Sequence, residues 1–339
     1  MTLKEFTSTN LDILPKDKNE IINEDIIFID FSTKNNLLLL LTSNNTFYMC
    51  EIVDNSIRIK QKFEGIVNKG TKISKIYFCN EDLDIILLLC DDGNILEWMV
   101  SREYISHIFY DVLGDSYEFK MNNQKNSGIE SNIKNFCIFQ KGEIKVWNTL
   151  KFNKKNILYI QNVNCFSYDF SGILLYFITK TNQKNNLKVI KFCDEYDCKE
   201  IFNKILNYKD SQTNIDYINS FDVNLILSDT KCGNIFIYKF HPINKIEFTI
   251  SLNNNPNNLS PLFIPFIGQN PLYQFGILCI NIKENEQKIV SICYESKKFN
   301  IDNIILKISN PYFIKENISE KGLLLEFDNI SKELRKYFI

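Results

Sequence analysis

The feature that most constrains this chain is a turn-and-strand signature that returns at nearly even steps. Its clearest instance runs from Ile73 to Val100, ISKIYFCNEDLDIILLLCDDGNILEWMV. Ile76 and Phe78 alternate with polar neighbours in a first strand, and Asn80 to Asp82 mark a turn. A continuous apolar run from Ile85 to Leu89 follows, as expected of a strand covered on both faces. Next comes Asp91-Asp92-Gly93-Asn94, where Asp-Gly offers the positive φ of a two-residue hairpin turn. A further strand holds Ile95, Leu96, Glu97 and Trp98. The signature recurs at Asn44-Asn45-Thr46-Phe47-Tyr48, at Lys141-Gly142-Glu143-Ile144-Lys145-Val146-Trp147-Asn148, at Asn186-Leu187-Lys188-Val189-Ile190 and at Cys232-Gly233-Asn234-Ile235-Phe236-Ile237-Tyr238. With Thr46, Ile95, Ile144, Leu187 and Ile235 as strand starts, the steps are 49, 49, 43 and 48 residues. A near-constant period of this length marks a repeat architecture.

The Ile73–Val100 unit resembles a WD40 repeat, in which such a turn precedes a strand ending in Trp-Asp. Here Met99 follows Trp98, and Asn148 follows Trp147. The Gly-His dipeptide of that family is absent, the only histidines being His107 and His241. The resemblance implies an all-β fold: a single closed β-propeller of about seven four-stranded WD40-like blades, with six the alternative. Residues 1–339 then form one domain. In such a fold Trp98 and Trp147 are structural, packed between blades.

The last third of the chain reads as eleven strands: IDYINSF, NLILSD, NIFIYKF, KIEFTISL, PLFIPFI, YQFGILCINI, KIVSICYES, NIILKIS, PYFIKEN, GLLLEFD and the tail LRKYFI. Three blades need one more. By the same resemblance, the N-terminal segment within residues 1–25, around Lys4 to Thr9, supplies the outer strand of the last blade and removes an exposed sheet edge. The tail also fits a helix, with Ile330, Leu334 and Phe338 at helical spacing and Ser331 as its cap.

Composition narrows the function classes. The formal net charge is −2 with both signs interspersed, so nothing steers the chain towards nucleic acid or anionic lipid. The aliphatic run Leu37 to Leu41 falls far short of the ~20 residues of a membrane span. Met1 to Asp25 lacks the apolar core of a secretory signal. The expected address is cytoplasmic or nuclear. Cys50, Cys79, Cys90, Cys137, Cys165, Cys279 and Cys293 lie in or beside apolar runs, where a reduced thiol acts as a small hydrophobe.

No residue is assigned a catalytic, cofactor-binding or metal-binding role. His107, in SHIFY, alternates with apolar neighbours in an outer strand, and His241 sits in a loop before Pro242; neither has a second ligand at zinc spacing. Cys193 and Cys198 are separated by four residues, not the two of redox and zinc motifs, and read as a surface loop between strands. Gly-x-Gly-x-x-Gly, P-loop and Gly-x-Ser-x-Gly patterns are absent. The carboxylate pairs Asp91-Asp92 and Glu81-Asp82 stand where turns need them. Lys60, Lys62, Lys69 and Lys72, and Lys151, Lys154 and Lys155, read as solvated loop faces; a basic rim for RNA is the other reading. The Phe/Leu-Arg-Arg-Gly motif of phosphoinositide-binding propellers is missing, and Arg58, Arg102 and Arg335 are the only arginines. The Asn253–Asn258 run reads as a surface excursion.

The expected function is a non-catalytic protein-interaction scaffold within a multiprotein complex. Its partners are then other proteins, of unspecified identity. The alternative is a non-catalytic, RNA-associated subunit of an RNA-processing or RNA-modifying complex.

Overall fold

A computed structural model of the chain describes residues 4–5, 8–14, 24–32, 37–53, 56–79, 84–114, 117–121, 135–148, 156–169, 173–182, 184–193, 197–206, 208, 213–221, 224–240, 245–251, 261–266, 275–281, 286–293, 298–305, 315–317, 323–328 and 333–338. Every element among the described residues is a strand. β1 (Lys4–Glu5) and β2 (Ser8–Leu14) come first. An antiparallel meander follows, of β3 (Ile26–Ser32), β4 (Leu37–Thr42), β5 (Phe47–Val53) and β6 (Ser56–Phe63). The next comprises β7 (Ile73–Phe78), β8 (Ile85–Cys90), β9 (Ile95–Met99) and β10 (Tyr104–Phe109). Then come β11 (Glu118–Met121), β12 (Asn135–Gln140), β13 (Glu143–Asn148) and β14 (Asn156–Ile160). They are followed by β15 (Val163–Tyr168), β16 (Leu174–Thr181), β17 (Lys184–Phe192) and β18 (Cys198–Ile205). A fifth meander holds β19 (Tyr217–Phe221), β20 (Asn224–Asp229), β21 (Asn234–Lys239) and β22 (Lys245–Ser251). A sixth holds β23 (Pro261–Phe266), β24 (Phe275–Asn281), β25 (Glu286–Cys293) and β26 (Lys298–Ile305). The chain closes on β27 (Lys315–Asn317), β28 (Leu323–Asp328) and β29 (Glu333–Phe338).

These strands divide into two compact units, Met1–Leu113 with Pro261–Ile339, and Gly114–Ser260. In the first, β7–β10 form a four-stranded sheet, and β23–β26 form another to which β1 adds. The remaining strands form an eight-stranded sheet in the order β27-β28-β29-β2-β6-β5-β4-β3. The second unit contains three four-stranded sheets, β11–β14, β15–β18 and β19–β22.

In three meanders the second strand is buried from end to end, and its surroundings explain why. β4 (LLLLLT), β8 (IILLLC) and β20 (NLILSD) are buried at every position, so both faces of the sheet are covered there. Because successive side chains point to opposite faces, one strand feeds two cores. In the first unit Leu39, Leu41, Phe47 and Phe63 pack against Ile76, Leu88 and Trp98 of the next sheet. In the second, Val146 meets Phe166, Phe177 and Phe192, while Leu187 and Val189, from the opposite face of β17, meet Leu225, Leu227 and Phe236.

The turns depart from the sequence expectation in one respect. The β8–β9 connection is not a two-residue turn. Cys90 N donates to Asn94 O at 2.9 Å and Gly93 N to Cys90 O at 3.3 Å, and the positive φ falls on Gly93, at +90°, not on Asp91 or Asp92. This is a three-residue loop, a type I turn followed by a left-handed residue. β4–β5 uses the same loop with Asn45 (φ +63°) in the glycine's place. The two-residue form occurs at Lys141-Gly142, where both φ values are positive.

All eleven strands expected in the last third are present as β19–β29, the end of the expected NIILKIS lying outside the described residues. The tail is a strand, β29, paired along its length with β28. The N-terminal expectation needs shifting. Ser8–Leu11 of β2 pairs antiparallel with Leu334–Tyr337 and gives β27–β29 their fourth strand. Lys4–Glu5 instead runs parallel to β26 at Ile304 and Ile305, and Asp12–Leu14 runs parallel to β6 at Ser56–Arg58. The segment thus joins β23–β26, β27–β29 and β3–β6, because the fourth strand of a sheet leaves one row of backbone groups unpaired.

Candidate interaction surface

The fourth strands carry the exposed surface of each meander. β10, β14 and β22 are mixed in burial, and β18 (CKEIFNKI) is exposed at every position except Cys198 and Phe202. The ladder between third and fourth strand is interrupted at the same place in five meanders. One extra residue bulges from the outer strand each time: Lys60, Ser106, Ile157, Ile201 and Glu247. A bulge sharpens local twist and re-aims the side chain it carries. The five side chains do different things. Lys60 Nζ lies 3.4 Å from Glu51. The Ser106 hydroxyl donates to the buried Glu97 carboxylate at 2.6 Å. Ile201 is exposed. No sequence signal marks this position, because the five residues share no chemistry.

On β17–β18 the register sets Lys191 directly opposite Lys199, both exposed. Lys188 bridges to Glu200 at 3.6 Å. Ile201 and Ile205 are 44% and 46% exposed, and among the described residues β18 is the outer strand with two exposed large apolar side chains.

At the turn ends, carboxylates are committed to backbone. Asp91 accepts from Lys72 N at 2.8 Å. In the equivalent place Asp229 accepts from Asn214 N at 2.9 Å and from Cys232 N at 3.2 Å. Asp216 takes both the backbone N–H and the hydroxyl of Thr230, and Asp84 those of Ser101. Asn45 accepts from Ile73 N and donates to Thr71 O. The clasps of Asp91, Asp229 and Asp216 hold the start of a meander to its own second turn, Asp84 ties the first turn of its meander to the third, and Asn45 ties the second turn of one meander to the start of the next, in a chain without Gly-His pairs.

The residues singled out in the sequence are scattered. His107 lies on β10, edge-on to Phe109 with ring centroids 4.7 Å apart, and His241 lies outside the described residues. Cys193 and Cys198 do sit together, but Cys198 is not a loop residue. It opens β18 opposite Phe192 and is half-buried. Burial pushes its thiol pKa up, with Asp197 and Cys193 adding. Cys50, Cys79, Cys90, Cys137 and Cys165 are buried free thiols. Burial raises Cys50 to about 12, and burial with Asp92 and Asp91 raises Cys90 to about 12; such thiols pack as hydrophobes and make poor nucleophiles. The side chains of Cys279 and Cys293 are outside the description. Among the described residues no three His, Cys, Asp or Glu side chains gather as a metal site.

Trp98 is buried between two sheets, edge-on to Phe63 at 6.2 Å. Trp147, expected to match it, is only half-buried. Lys62 pairs with Glu64 at 2.9 Å, while Lys69 and Lys72 are exposed. Lys151, Lys154, Lys155, Glu81, Asp82 and Asn253–Asn258 lie outside the described residues. Arg58 and Arg102 are exposed on separate elements, and the Arg335 side chain is not described. Among the described residues no helix is long and apolar enough to cross a membrane.

No family model matches the chain, and no curated protein matches it in sequence. Solved structures match over nearly its full length. The β-propeller domain of Myceliophteria thermophila Cps50 (Swd1) is similar with a TM-score of 0.58 and 8% identity, over 98% of this chain and 100% of that one. Kluyvelomyces marxianus Hsv2 gives 0.58 and 10%, over 93% and 98%. A chain of a mitotic checkpoint complex gives 0.58 and 11%, over 99% and 93%. At these identities the likeness is one of fold. It establishes a β-propeller, and the resemblance read from Ile73–Val100 is borne out at that level.

Proposed function

We propose that this β-propeller is a non-catalytic scaffold subunit of a multiprotein complex, working in the cytoplasm or nucleus. In this reading residues 1–339 form one closed domain of about seven blades. The seventh is β27–β29 completed by β2.

One observation carries the functional reading. Asp91, Asp229 and Asp216, at the turns, are spent on backbone clasps, while the partly apolar outer strand β18 has no second neighbour among the described residues. Function in such a fold belongs to sites on the scaffold, not to the fold itself. A mitotic checkpoint complex among the similar structures lends support. The RNA-associated reading draws less, since Lys60 and Lys62 of its basic rim are ion-paired.

The test is affinity purification of the tagged chain at native expression, in low and moderate salt, with mass spectrometry. A stoichiometric, salt-resistant set of proteins is expected. Recovery of nucleic acid that washes away with salt, and of no protein set, would overturn the reading.

A further inference from the structure

We propose that the outer edge of β18, which has no second neighbour among the described residues, binds an extended segment of a partner protein as an added strand, one in which apolar and acidic residues alternate. This rests on the scaffold reading and names the surface and the chemistry of its partner.

The molecule itself shows that its outer edges take a further strand. β1 lies parallel to β26, and Asp12–Leu14 lies parallel to β6, each against the fourth strand of a meander. β18 is the same kind of strand, and among the described residues its one neighbour is β17. At eight residues it is as long as β6, which is covered at Ser56–Arg58. Exposed edges are ordinarily kept short, because a row of unpaired N–H and C=O groups is a template for pairing. β18 is long and also exposes Ile201 and Ile205.

Charge selects the partner. Lys191 and Lys199 face each other across the hairpin, an arrangement that destabilises a sheet when it stands alone. Glu200 is held by Lys188, and Lys204 is exposed further along the edge. A carboxylate brought alongside Lys199 relieves the repulsion. Lys204 and Ile205 are successive residues and point to opposite faces. An added strand therefore meets a lysine on one face and an isoleucine on the other, which is met by alternating acidic and apolar residues. Pairing of this edge with its own copy would set lysines against lysines and is disfavoured by the same charges.

The experiment uses the full chain and a capped, fluorescein-labelled peptide of four Val-Glu repeats. Anisotropy gives affinity, and hydrogen exchange read by mass spectrometry locates the site. Saturable binding is expected, with slowed exchange of the amides of residues 198–205. The double variant Lys199→Glu/Lys204→Glu, altered only at exposed positions, should lose about tenfold or more in affinity. It should gain affinity for four Val-Lys repeats, a switch that a misfolded variant would not show. Absence of saturable binding below ~1 mM overturns the proposal, as does protection elsewhere than β18. Equal protection by a single-stranded oligonucleotide also overturns it, by reducing the edge to a basic patch. If the double variant retains the whole co-purifying protein set, the edge proposal fails and the scaffold reading stands. If the unaltered chain co-purifies with nothing, the scaffold reading itself fails.

Discussion

Asp30 accepts a hydrogen bond from the backbone N–H of Phe78 at 2.9 Å, joining the first strand of one meander to the first strand of the next. Both residues are buried, so removing the acceptor strands an amide away from water. Asp30→Ala is expected to cost about 1–3 kcal/mol, and Asp30→Asn, which keeps an acceptor, less. Urea denaturation at neutral pH checks this, with the midpoint falling at constant slope.

Trp98 fills the space between two sheets and Trp147 is half-buried. Trp98→Ala is expected to cost about 3–5 kcal/mol, the range for a buried aromatic. Trp147→Ala should cost roughly half of that, in proportion to the apolar area it removes from water. Comparison of the two melts is the measurement, and equal losses would contradict the difference in burial.

The buried thiols give the fold an alkaline limit. Cys50 and Cys90 ionise near 9.0 when unfolded and are raised to about 12 when folded. A group raised on folding contributes stability that is whole below its unfolded value and lost as pH climbs towards its folded one. The denaturation midpoint should therefore hold steady up to about pH 9 and fall between about 9 and 12. Tyr238, raised by burial to about 12, adds to the upper part of that fall. Cys50→Ala should flatten the decline. At pH 8 a thiol reagent should label the exposed Cys193 and Cys232 in the folded protein. It should reach Cys50, Cys79, Cys90, Cys137 and Cys165 only after denaturation.

Gly93 combines a φ of +90° with a neighbour in the way, since a Cβ there would meet Leu113 O at 3.0 Å. Gly93→Ala should cost more than the ~1–2 kcal/mol of left-handed strain alone. Gly65, at φ +68° with open space around it, supplies the comparison, and Gly65→Ala should show the strain without the clash. Thermal melts of the two variants separate the contributions.

What could be read in the sequence was local. Turn glycines such as Gly93, period-two alternation and apolar second strands such as β8 are written within a few residues of where they act, so the meanders were legible from Ile73–Val100 outward. Asn45 standing where Gly93 stands was harder to see, because asparagine tolerates a left-handed conformation without advertising it. The bulges at Lys60, Ser106, Ile157, Ile201 and Glu247 were invisible, since they answer to the twist of the sheet and not to side-chain type. The exposed edge of β18 was hidden for a related reason. CKEIFNKI reads as an ordinary strand of mixed charge, and only the register reveals that Lys199 faces Lys191 and not an acid.

The pairing of β2 with β29 bears on how the molecule comes into being. Ser8–Leu11 meets Leu334–Tyr337, so the ribosome makes the two partners more than about 320 residues apart. At ~5–20 residues per second, the earlier strand waits on the order of a quarter of a minute or longer for the later one. The meanders between are hairpin-connected and can form as they emerge, and Asp12–Leu14 can find β6 early, while Ser8–Leu11 waits for β29. Closing so long a loop carries a large entropic cost, which meanders already in place reduce. The pairing of β2 with β29 is thus the slow, contact-order-limited step in forming these sheets. Until it happens, β29 offers an open edge to whatever chaperone or neighbouring strand is at hand.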